Sequence, residues 1–180
     1  MSPDWHLLAQ LAADELSNCL CSEVDGLMNG KAEADEDELL AKLPEPLRAM
    51  WLIEWLDFEV SQGSLLAYFF NSHGRHASQT IEVLRRIGAR RMADVLAEAA
   101  GSHQSASAAW RARHDELDAL GEYAVVTPYA GLSNAGSFDE LTDKYWQAAD
   151  DDWGDKLNEY LSAQVKLLAD SDQLRAPRRS

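Results

Sequence analysis

Positive charge is scarce in this 180-residue chain: 16 Lys and Arg stand against 31 Asp and Glu, for a formal net charge of −15. Such an excess of acid repels phosphate backbones and anionic membrane surfaces, and it speeds encounter with basic partners, most steeply at low salt. Direct nucleic-acid binding and membrane-surface binding are the functions it argues against. Cysteine is scarcer still. Cys19 and Cys21 stand two apart on an expected helix and face different ways, which fits reduced, inert thiols rather than a disulfide. No apolar run approaches the roughly 20 residues needed to span a bilayer. The N-terminal stretch MSPDWHLLAQ carries Asp4 and no basic n-region, with Asp14 and Glu15 close behind, so no secretory signal is read there and a cytoplasmic location is expected.

Catalytic and metal-binding signatures are also missing. None of His6, His73, His76, His103 and His114 sits in HExxH, and only His73 and His76 form an HxxH, across an expected turn. Asp25, Asn29, Gly30 and Glu36 match positions 1, 5, 6 and 12 of a calcium loop, but Leu27 at position 3 offers no side-chain oxygen. There is no GxSxG, Walker-type or GxGxxG motif, and neither cysteine lies in a nucleophile motif. The reading is therefore a non-enzyme without metal or cofactor.

What the sequence does hold is a folded, helical chain. Hydrophobic residues make up 46%, with six tryptophans, and the length suits one domain. Its charge is unevenly spread. Residues 1–46 hold 11 acids and 2 bases, residues 47–114 hold 6 and 8, and residues 115–180 hold 14 and 6. The acid gathers at Asp35, Glu36, Asp37 and Glu38, at Asp139 and Asp143, and at Asp150, Asp151, Asp152 and Asp155. Residues four apart on a helix share a face about 6 Å along its axis, so Asp139/Asp143 and Asp151/Asp155 can form rows of anions. These ten residues are the candidate contacts for a basic partner. The competing reading is a solvated face, or for Asp139 and Glu140 a dipole-pairing helix start.

The spacing predicts an all-α bundle of seven to nine helices. Leu7, Leu8, Leu11, Ala12 and Leu16 keep one helical period from the N-terminus to about Gly26. Asp35 with Glu38, and Ser137 with Glu140, have capping-box spacing. LRAMWLIEWLDFEV is apolar on nearly every face and is the expected central helix, with Pro46 in its first turn. Gly63 breaks it, Ser64 caps SLLAYFF, and Asn71 to Gly74 close that element. Helices over 75–87 and 90–100 then end on Gly88 and Gly101, and a further one spans 106–120. Residues 121–136 read as an irregular loop, 152–170 as the last long helix, and RAPRRS as a flexible basic tail. Arg85, Arg86, Arg90 and Arg91 flank Gly88 and are expected to pair internally or across a dimer.

The stretch EVSQGSLLAYFFNSHG, followed by Ile87-Gly88-Ala89, resembles a bacterial family of small helical domains of unknown function. That family's segment reads E-V-x-N-G-G-F-x-Q-[YF]-F-x-N-[ST]-x-G before an I-G-A helix end. Glu59, Val60, Gly63, Tyr68, Phe69, Asn71, Ser72 and Gly74 match it, while Gln62, Ser64, Leu65 and Ala67 depart. The likeness covers about Leu43 to Ala100 well and FDELTDKYW to Tyr160 loosely, which makes 43–101 the family-like core between acidic helices at 1–42 and 102–172. The family's best-described member is a dimeric DNA mimic whose acidic surface occupies the DNA-binding face of a repressor. The resemblance implies a non-catalytic inhibitor of a basic DNA-binding protein such as a transcription regulator, with a homodimer as the implied state. A second reading is an immunity or antitoxin protein against a basic toxin such as a nuclease. A third is a small-ligand or hydrolytic domain using Glu59, Asn71 and His73. For Glu59, Gly63, Asn71, Ser72, Gly74 and Gly88 the residues themselves favour a structural role, satisfying the backbone at a helix-turn-helix corner.

Overall fold

The computed structural model describes residues 3–31, 33–120, 132, 135–149 and 153–175. Of the expected loop at 121–136, residues 121–131, 133 and 134 lie outside the described residues, as do Asp150, Asp151, Asp152 and 176–180, while its last two, Ala135 and Gly136, are helical instead. Those described form an all-α, single-domain fold of nine helices, with no strand among them. Contacts gather in two compact units, residues 1–54 with 152–180, and residues 55–151.

In the first unit, Asp4 accepts the N–H groups of His6 and Leu7 and opens α1, Trp5–Leu8. The expected continuous N-terminal helix breaks here. Gln10 and Leu11 donate three residues back to Leu7 and Leu8, tightening the turn, and Ala12 is extended before α2, Ala13–Met28. That helix runs past Gly26. Helix α3, Glu33–Lys42, begins ahead of Asp35, so the expected capping box at Asp35 lies inside the helix. Helix α4, Glu45–Gly63, carries Pro46 in its first turn and crosses the unit boundary. Helix α9, Trp153–Arg175, packs against α1 and α2. Trp5, Leu16, Leu20, Leu161 and Val165 are buried, Ser17 donates to Asn158 (2.5 Å) and Tyr160 donates to Glu45 (2.6 Å).

The second unit is built on α5, Leu65–Ser72, α6, Ala77–Arg86, α7, Arg90–Leu120, and α8, Ala135–Ala149. Helix α7 packs against α5, α6 and α8. Phe69, Phe70, Trp110 and Phe138 interlock, with Trp110 and Phe138 centroids 5.2 Å apart; such aromatic pairs add about 0.5–1.5 kcal/mol beyond area burial. Gly88 takes φ +87°, its N–H reaches Arg85 O, and Ala89 N–H reaches Leu84 O. This is the paired 5→2 and 6→1 closure of a Schellman end. Gly101, by contrast, ends nothing. Helix α7 runs through it unbroken, because Ala99, His103, Ala106 and Trp110 keep one buried face at three- and four-residue steps. Ser137 likewise lies inside α8, so the expected capping box there is not a helix start.

The two glycines should therefore respond oppositely. Gly88→Ala is expected to lose about 1–2 kcal/mol, the cost of a Cβ in the left-handed region. Gly101→Ala, with nothing within 4 Å of its new Cβ, should gain about 0.5–1 kcal/mol. Urea unfolding of both variants measures this, and destabilisation by Gly101→Ala would refute the continuous α7.

Candidate functional site

The family-like corner lies within the second unit. Ser64, at φ +107°, caps α5 by accepting Leu66 N–H (3.2 Å), and Thr142 of α8 accepts Leu65 N–H (3.2 Å). Gly63 is the exposed last residue of α4. At the far end of α5, Ser72 Oγ donates to Tyr68 O (2.5 Å) and accepts Gly74 N–H (3.1 Å). Gly74 has φ +68°, and a Cβ there would stand 3.1 Å from His103 Nδ1. Asn71 Nδ2 donates to the buried Glu59 at 2.7 Å. Each of these polar groups meets a backbone or side-chain partner at a helix end.

The histidines of this corner are packed among rings. His103 is buried, stacked on Phe69 (5.2 Å) and edge-on to Trp110 (4.9 Å). Desolvation first, then the fields of His73 and Arg111, hold its imidazole below the usual histidine range. His73 meets His114 with ring centroids 4.6 Å apart, while His76 Nε2 accepts from Arg75 (3.1 Å). Of the central arginines, Arg86 reaches Glu82 at 3.5 Å and Arg85 reaches Asp94 at 4.0 Å.

Of the ten candidate contact residues, the seven that are described fall on three helices. On α3, Asp35, Asp37 and Glu38 are exposed and Glu36 is partly so. Glu38 pairs with Lys42 of the same helix, which holds its carboxyl below the usual range. On α8, Asp139, Glu140 and Asp143 are exposed, and the helix begins at Ala135, so neither Asp139 nor Glu140 lies in its first turn. At 100° per residue these three span about 100° of arc, opposite buried Leu141, Tyr145 and Ala148. Among the described residues, no Lys, Arg or His forms an ion pair with any of the three. Lys144 instead reaches Glu98 at 3.6 Å. Asp155 is exposed in the first turn of α9, where a carboxylate complements the helix dipole.

A helical fold with exposed acids, whose corner residues close helix ends, supports the reading of an interaction protein. The DMP19-like protein family matches residues 41–164, more than half of the chain, and the chain belongs to that family. Membership supports the non-catalytic interaction reading. The matched segment takes in the Glu59–Gly74 corner and the acidic face of α8 but not the α3 cluster. Comparison with curated proteins gives no match. Comparison with solved structures gives none either. No helix among the described residues is long and apolar enough to cross a membrane.

Burial raises the Glu59 carboxyl above its usual range, against the opposing pull of the Asn71 hydrogen bond. The folded protein thus binds that proton more tightly than the unfolded chain. Its stabilising contribution is complete below the unfolded-state pKa and is lost as pH rises through the folded value. Glu59→Gln keeps an acceptor for Asn71 without the charge, so it should flatten this decline, which sets in above the unfolded-state value of about 4.3. Asn71→Ala should cost about 1–3 kcal/mol at neutral pH by leaving the carboxylate buried without its donor. Thermal unfolding across pH checks both, and a decline retained in Glu59→Gln would assign it to another group.

Proposed function

We propose that this protein is an acidic, non-catalytic inhibitor that occupies the DNA-binding face of a basic DNA-binding protein, of the transcription-regulator kind. The observation that carries this reading is the face of α8, where Asp139, Glu140 and Asp143 are exposed and no protein cation among the described residues pairs with them. Asp139 to Asp143 spans four residues, about 6 Å of helix axis. Over that length duplex DNA, at one charge per ~1.7 Å, carries between three and four. Locally, three carboxylates over that length approach the charge density that a DNA-binding face is built to meet. Asp35, Glu36, Asp37 and Glu38, and Asp150, Asp151, Asp152 and Asp155, are assigned to the same role as further contacts. Family membership and the net charge of −15 point the same way.

Like charges at i,i+3 and i,i+4 destabilise a helix by a few tenths of a kcal/mol per pair, here Asp139/Asp143 and Glu140/Asp143. A chain keeping them for a partner should reveal it by an opposite movement of stability and binding. The triple change Asp139→Asn, Glu140→Gln and Asp143→Asn is expected to raise stability by roughly 0.2–0.5 kcal/mol per relieved pair while weakening capture of the basic partner. Pull-down from the native lysate, with salt titration and competition by duplex DNA, measures capture. Salt-insensitive binding to a neutral protein, or undiminished capture by the triple variant, would refute the proposal.

A further inference from the structure

One group of side chains lies outside this surface. Cys21 and Asp25 stand one turn apart on α2, and Glu54 lies on α4, 33 residues after Cys21. One ligand atom from each lies within 4.8 Å of the other two. Cys21 Sγ is 2.9 Å from Glu54 Oε2 and 3.9 Å from Asp25 Oδ2. All three belong to the first unit.

We propose that Cys21, Asp25 and Glu54 form a binding site for a divalent transition-metal ion of borderline softness, of the zinc type. Two independent observations support it. First, the ligand set mixes one soft thiolate with two carboxylates. Zn–S of about 2.3 Å and Zn–O of about 2.0–2.2 Å at a tetrahedral angle place sulfur and oxygen about 3.6 Å apart. The two sulfur–oxygen separations, 2.9 and 3.9 Å, bracket that value. Second, two carboxylates lie together there with no compensating cation among the described residues. Glu54 is partly buried beside a second carboxylate, and among the described residues no Lys, Arg or His pairs with either acid.

Without an ion, burial and the two carboxylates hold the Cys21 thiol up at about 12, so it serves as a donor to Glu54. A bound dication inverts that preference. The S–H bond breaks, the proton leaves to solvent, and the sulfur electron pair forms the bond to the metal. Three protein ligands leave one tetrahedral position for water. The set joins two helices distant in sequence, which is why no local spacing announces it.

Titration of the metal-free full chain with Co²⁺ tests the assignment. A thiolate-to-cobalt charge-transfer band in the near ultraviolet should appear, and Zn²⁺ should bleach it. Cys19→Ser should keep the band and Cys21→Ser should lose it, each with helical content unchanged by circular dichroism. Asp25→Asn, at an exposed position, should weaken Co²⁺ affinity at least about tenfold, the lower end of what even outer-shell partners cost. Absence of the band in the unaltered protein, its persistence in Cys21→Ser, or unchanged affinity in Asp25→Asn would each overturn the site. Should Cys21→Ser fail to fold, the Asp25→Asn affinity decides.

Discussion

Helix α5 sets the terms for the second unit. Seven of its eight residues are buried, so its backbone ends cannot turn to water for their unused hydrogen bonds. Ser64 and Thr142 take the first N–H groups, and Ser72 with Gly74 closes the other end. Thr142 also donates to Phe138 O (2.7 Å), so a single hydroxyl ties the start of α5 to the second turn of α8. The tie fixes the rotation of α8. Phe138, Leu141 and Tyr145 are held inward, with Tyr145 donating to Asp57 (3.0 Å), and Asp139, Glu140 and Asp143 are left outward. The acidic face is the complement of the hydrophobic one, and the corner that resembles the family is what orients it.

Much of this was legible in the sequence where a pattern is local. The all-α class, the Pro46 start and Gly63 end of α4, the Ser64 cap and the Gly88 end follow from residue chemistry within a few positions. The misread boundaries have different causes, and the Leu7–Leu16 period is interrupted by the tightened turn at Gln10 and Leu11 and the extended Ala12. Gly101 stays helical because the buried residues on either side of it keep their spacing. A capping residue such as Ser137 signals a helix start only where the preceding residues cannot extend the helix, and Ala135-Gly136 can.

The candidate site was legible in composition and less so in geometry. Counting acids finds Asp35–Glu38 and Asp139/Asp143, but it cannot say that Lys42 already engages Glu38 while Lys144 turns to Glu98 rather than to its own helix's acids. Pairing depends on side-chain reach across helices. Glu54 went unremarked for the same reason, because its significance comes from a thiol 33 residues earlier in the chain.

The chain sorts its carboxylates by solvation, and that sorting separates structure from interaction. Buried Glu59 meets Asn71 and partly buried Glu54 meets the Cys21 thiol, both neutral donors, with burial pushing both acids toward the protonated form. Exposed acids on α8 have no such neighbour among the described residues and face water, which a guanidinium can replace with charge-assisted hydrogen bonds. Water is a replaceable partner and an internal lysine is not. Among the described residues no cation pairs with Asp139, Glu140 or Asp143, and their mutual repulsion works against the helix. On the proposed reading, contact with a basic surface relieves that repulsion, whereas a merely solvated face would leave it in place.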